Sequence, residues 1–157
     1  MFSETTTKAI AFFTLCFLGA APLFGQGCPN HQALLDKMDE IFEAHAVDRL
    51  GEIYHVDAVI HSPEGTQEGL DKIVEQAKQF HAMVPDAQGV NHDVFCNGAD
   101  KLAVRWTGSG TSNGTKVNVQ GITIYHTRDG KITEVWEEMN TMAMMMQMGY
   151  ELKAPGQ

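Results

Sequence analysis

The sequence is short of positive charge. Eleven Lys and Arg stand against 20 Asp and Glu, a formal net charge of −9 with His neutral. The basic residues, among them Lys37, Lys72, Lys101, Arg105 and Lys131, are scattered and form no patch. Such a chain offers little to phosphate backbones or anionic headgroups, which reward clustered Lys and Arg. Nucleic acid and anionic membrane surfaces are therefore not expected partners. Cysteine is scarce as well: three residues, none in a C-x-x-C pair. That excludes a disulfide-dense scaffold and a zinc finger. The H-E-x-x-H zinc motif, a Gly-rich phosphate loop and a Ser/His/Asp nucleophile signature are all missing, so no metal or other cofactor is expected. There is no internal repeat and no linker, and no apolar run reaches the ~20 residues of a comfortable membrane span.

What is present fits one domain. The chain has 157 residues, 43% hydrophobic and 20% charged, enough for one substantial core. Residues 9–21 read AIAFFTLCFLGAA, preceded by Lys8 and followed by small residues. This is a secretory signal pattern. Gly25-Gln26-Gly27 puts small residues at the exit, so residues 1–27 are expected to leave and residues 28–157 to form an exported domain, periplasmic or secreted. Cys28 follows the exit, but Gly25 stands where a lipobox wants Leu, which disfavours lipidation. Cys28 and Cys96 remain. Oxidising surroundings would let them pair, or leave a terminal thiol and an unrelated strand cysteine; spacing does not decide.

Apolar periodicity then divides the chain. Leu34, Leu35, Met38, Ile41 and Phe42 recur at helical spacing over 31–45, with Asn30 as the expected cap. A short helix is expected over 48–54, a strand over 58–61 ended by Pro63-Glu64-Gly65, and a helix around 70–80 stopped before Pro85. The second half reads as strands over 90–96, 102–107, 117–127 and 132–140. Asn113-Gly114 and Asp129-Gly130 supply hairpin turns. Helices first and an antiparallel meander after them predict an α+β fold. The Met-rich end, TMAMMMQMGY, reads as a short packed helix. Met142, Met145 and Met148 recur every three residues, and soft thioethers suit Cu(I), but flexible gap-filling in a core is the stronger reading.

The order of these elements, with HVDAVIHSPEGTQEG, LAVRWTGSGTSNG and GITIYHTRDGKITEVWEEMN followed by MMMQMG, resembles the SnoaL-like polyketide and ester cyclases. The resemblance covers about residues 31–150. It implies the cone-shaped nuclear transport factor 2-like fold, a curved antiparallel sheet packed on N-terminal helices around a closed pocket for a small, largely apolar molecule. It also implies a homodimer formed through the sheet. Two departures stand out. The family's Gly-Thr-His hairpin is Gly110-Thr111-Ser112 here, and the family's acid/base Asp, four residues after the closing-strand Trp, is Asn140 counted from Trp136. A neutral amide accepts no proton usefully near pH 7.

Strand alternation puts Trp136, Glu138 and Asn140 on one face. Counting across the Asp129-Gly130 turn sets Thr123 opposite Trp136 and Gly121 opposite Glu138. On that count Glu138 is the remaining proton acceptor, with His61 at the pocket's edge, matching a His often seen there in the family. Asn140, Trp136, Thr123 and Trp106 are the expected ligand contacts. Two functions stay open: a cofactor-free enzyme moving a proton on a carbonyl compound, to cyclise or isomerise it, and a binding or dimerisation module that has lost the chemistry.

Overall fold

A computed structural model describes residues 28, 31–63, 65–98 and 100–151. The expected signal segment and the expected cap Asn30 lie outside these residues. Among the described residues no helix is long and apolar enough to cross a membrane.

Helix α1 spans Gln32–Glu43 and buries Leu34, Met38 and Ile41, the i, i+4, i+7 stripe that makes a helix amphipathic. Its N-cap position is His31, whose ring makes no cap bond. The ring is instead buried, with Nε2 3.3 Å from Thr127 Oγ1. A 3-10 turn, Val47–Glu52, takes the place of the expected second helix. Helix α2, Leu70–Met83, follows the strands β1 (Tyr54–Ser62) and β2 (Gly65–Glu68). The sequence reading ended the early strand at Pro63 and missed β2. β2 folds back on β1, pairing Ser62 with Gly65 and Val59 with Glu68.

The meander is β3 (Gln88–Asn97), β4 (Lys101–Ser112), β5 (Thr115–Arg128) and β6 (Lys131–Met139). Asn113-Gly114 and Asp129-Gly130 all have positive φ, the geometry that two-residue hairpins require. Among the described residues six strands run in the order β2-β1-β6-β5-β4-β3. The expected sheet was antiparallel throughout. It is mixed, because β1 lies parallel to β6. Ile41, Ile53, Leu102 and Ile132, each at most 1% exposed, anchor the core between the helices and the inner face of the sheet.

Two further contacts close the chain. Cys28 and Cys96 form a disulfide across 68 residues with Cα atoms 5.7 Å apart, tying the segment before α1 to β3. The final helix α3, Thr141–Gln147, is capped by Asn140, whose side chain accepts from Ala143 N at 3.0 Å. Gln147 clips α3 to the edge of β5: its amide nitrogen donates to Asn118 O and its oxygen accepts from Asn118 N, both at 2.8 Å. The helix forms as expected but is not packed as expected. None of its residues is buried, because α3 lies along the β5 edge and not under the sheet.

Candidate functional site

The closing hairpin decides which side chains meet. Arg128 pairs with Lys131 and Thr127 with Ile132, as a two-residue turn dictates. Beyond them the register slips by one, so His126 meets Glu134, Ile124 meets Trp136 and Thr123 meets Glu137. The extra residue is Thr133, whose hydroxyl donates to His126 O at 3.3 Å. A bulge of one residue reverses every side chain after it. The expected pairing of Thr123 with Trp136 and Gly121 with Glu138 is therefore replaced, and the expected single cavity of Trp136, Glu138 and Asn140 does not form.

Thr123 and Trp106 do come together on the inner face. Trp106 Nε1 donates to Thr123 Oγ1 at 2.8 Å, and Thr123 Oγ1 lies 3.5 Å from Glu137 Oε2. The indole reaches this place because position 121 has no side chain: a Cβ there would sit 2.5 Å from the ring. The Tyr125 hydroxyl bonds to Thr123, and Tyr54 is buried nearby. Burial first, then the charge of Glu137, pushes the Tyr125 phenol well above its usual range. For Tyr54 the causes are burial, then Tyr125 and Glu137. Both phenols stay protonated and can donate. On the facing helix, burial, then Glu43 and Asp36, raises the Asp39 carboxyl above its ordinary value. Asn91 Nδ2 donates to Asp39 Oδ1 at 3.4 Å. Trp106 and Glu137 remain half-buried, so solvent reaches this inner face. A carboxylate beside two neutral phenols can accept a proton from carbon while a phenol holds the oxygen charge that develops.

The other expected residues lie elsewhere. Trp136, 48% exposed, faces outward and stacks on His61 with ring centroids 4.0 Å apart. Glu138 shares that outer face and is exposed. Glu134 sits between two histidines there, 3.3 Å from His61 Nε2 and 2.8 Å from His126 Nδ1. Asn140 spends its side-chain oxygen on capping α3, and its backbone N–H donates to Gln120 O at 3.0 Å. An open groove of about 410 Å³ runs past Val90, Thr107, Ser109, Gln120 and Asn140; it does not touch Thr123 or Glu137. Neither this groove nor a second open cleft, lined by Ser112, Asn113, Thr115, Met148, Gly149 and Tyr150, is the expected closed pocket. Sequence reasoning missed Glu137, Tyr125, Tyr54 and Asp39. The useful signal was alternation itself, once the bulge at Thr133 is known.

The sequence pattern of the SnoaL-like polyketide cyclases matches residues 32–148. No curated protein matches the chain significantly. Among solved structures, a loop-truncation variant of IdmH is 26% identical, with a TM-score of 0.64, covering 74% of this chain and 99% of that one. A candidate polyketide cyclase from Bacillus cereus is 24% identical with a TM-score of 0.67, covering 76% and 80%. A LEH-like epoxide hydrolase of M. tuberculosis shares the fold at 12% identity and a TM-score of 0.65, covering 76% and 89%.

Proposed function

We propose that this chain, which belongs to the SnoaL-like polyketide cyclase family, takes a small, largely apolar carbonyl compound between α1 and the inner face of its sheet. The observation that carries this reading is the run Trp106, Thr123, Glu137, with the Tyr125 phenol on the same hydroxyl. The half-buried indole of Trp106 supplies an apolar wall. Glu137 removes a proton from carbon next to the carbonyl, and the Tyr125 or Tyr54 phenol donates to the oxygen that becomes negative. The resulting enolate carbon adds to a second carbonyl of the same molecule, whose C=O π bond breaks and whose oxygen takes the proton back from Glu137, or it is reprotonated at another carbon; the first gives cyclisation and the second isomerisation, neither needing a cofactor. A panel of apolar carbonyl compounds tests the reading. Glu137→Gln should bind ligand and lose most turnover. Loss of neither binding nor turnover would exclude the inner site.

A second reading is favoured by one departure. Asn140 replaces the acid expected of the family, and its amide is occupied by the α3 cap. On that reading the chain binds the same class of ligand without transforming it. Binding with no turnover across the panel would select this alternative.

We propose further that the protein acts outside the cytoplasm, periplasmic or secreted. The N-terminal apolar run and the Cys28–Cys96 disulfide support this, since such bonds persist in oxidising compartments. Intact mass of the protein from its native host tests it; soluble cytoplasmic protein retaining residues 1–27 would exclude it. We also propose a homodimer through the outer face. Phe95, Ala103, Ile124 and Trp136 form a register row across β3 to β6, and Phe95, Ile124 and Trp136 are exposed. An exposed apolar patch of this kind marks association. A sedimentation mass equal to one chain at micromolar concentration would exclude it.

A further inference from the structure

We propose that Met142, Met145 and Met146 on α3 form a binding site for a soft monovalent metal ion, Cu(I) in an exported protein. Six of the nine methionines of the chain fall between positions 139 and 148. Core packing is the ordinary use of such side chains, but it does not account for these three. Met142 is 56% exposed, Met145 39% and Met146 59%, and no residue of α3 is buried.

Helical geometry gathers them. At about 100° per residue, positions 142, 145 and 146 fall within an arc of roughly 100°. Positions i, i+3 and i+4 bring their Cβ atoms to about 5–6 Å. Thioether side chains have three rotatable bonds, so the sulfurs can converge from there. Ala143 and Gln147 lie on the other side of the helix, where Gln147 holds the Asn118 backbone. That clip and the Asn140 cap fix α3 with its methionine face outward. Thioethers are soft, neutral donors that select Cu(I) over the harder divalent ions. Three of them leave the ion its positive charge, which the net charge of −9 accommodates. Binding involves no electron transfer and no proton release.

The test uses Ag(I) as a redox-inert probe of the same softness, on the full chain with Cys16→Ser so that this thiol does not compete. Methionine methyl groups labelled with ¹³C report each site by NMR. The expected result is one equivalent of Ag(I) bound and shifts confined to the methyls of Met142, Met145 and Met146. The triple variant M142L/M145L/M146L should keep its circular dichroism and bind at least tenfold more weakly. Cu(I) in acetonitrile, titrated against a chromogenic chelator, should follow the same order. Unchanged affinity in the triple variant, shifts centred on Met38 or Met83, or no binding at micromolar metal would each overturn the proposal. So would concentration-dependent self-association lost in the triple variant without metal binding, because the face would then be a protein contact.

Discussion

Trp106 lies over Gly121 and donates its indole N–H to Thr123, two residues further along β5. The contact exists because one residue has no side chain. A methyl group at position 121 would stand 2.5 Å from the ring and 2.6 Å from Glu138 O, and the backbone atom cannot swing away. Gly121→Ala should therefore displace the indole and cost about 1–3 kcal/mol, the usual penalty of overpacking. Urea unfolding measures the cost, and tryptophan fluorescence reports the loss of the Thr123 contact. Unaltered emission together with unaltered stability would mean that the ring is not held there.

Glu137 and Glu138 are neighbours on opposite faces of β6, which makes them each other's control. Glu137→Gln should abolish most turnover on any substrate the protein accepts, roughly the 10²–10⁴-fold that a positioned general base contributes. Glu138→Gln should leave turnover within about twofold, since surface changes away from a site are usually small. A kcat profile for both variants on one substrate is the measurement. The reverse order would return the chemistry to the outer face.

Asn140→Ala removes the oxygen that holds Ala143 N. Loss of an N-cap costs about 0.5–2 kcal/mol, and α3 should fray from the β5 edge. Hydrogen exchange at residues 141–147 should quicken, while affinity for a ligand at the inner site stays unchanged. A large loss of ligand affinity with α3 still protected would instead make Asn140 a ligand contact.

Reduction of the Cys28–Cys96 bond frees a loop of 68 residues. The chain-entropy account assigns a loop of this length about 4.4 kcal/mol, and such bonds typically deliver about 2–4 kcal/mol. Cys96→Ala, or the native protein in reductant, should unfold at correspondingly lower urea. Equal midpoints with and without reductant would show that the bond is not formed.

His81 carries an acid sensitivity. Its ring stacks on His45 with centroids 4.2 Å apart, and burial, then the charge of His45, lowers its pKa from the usual 6.5. A depressed pKa means that the unfolded chain takes up the proton first. Stability is then complete above about pH 6.5 and falls as pH drops through the folded value. His81→Phe keeps a ring in the stack and removes the proton site. The variant should lose less stability than the native protein between pH 7.5 and pH 5. Parallel losses would place the acid sensitivity elsewhere.

Apart from β2 and the 3-10 turn at Val47–Glu52, the element order was written in the sequence. Leu34, Met38 and Ile41 mark one face of α1, and Asn113-Gly114 and Asp129-Gly130 mark two hairpins, because local periodicity and turn chemistry act over a few residues. The family resemblance was carried by the same short segments. Three features were not local. The parallel pairing of β1 with β6 depends on where the chain returns after some 70 residues. The approach of Cys28 to Cys96 depends on the same packing. The identity of the inner carboxylate depends on one added residue at Thr133. The sequence by itself determined that a strand of alternating side chains ends in Trp136-Glu137-Glu138. Only tertiary structure decided that Glu137 faces Thr123 while Trp136 stacks on His61. In a strand of period two, a single bulge exchanges the two faces, and the pairing of β5 with β6 alone sets where that bulge falls.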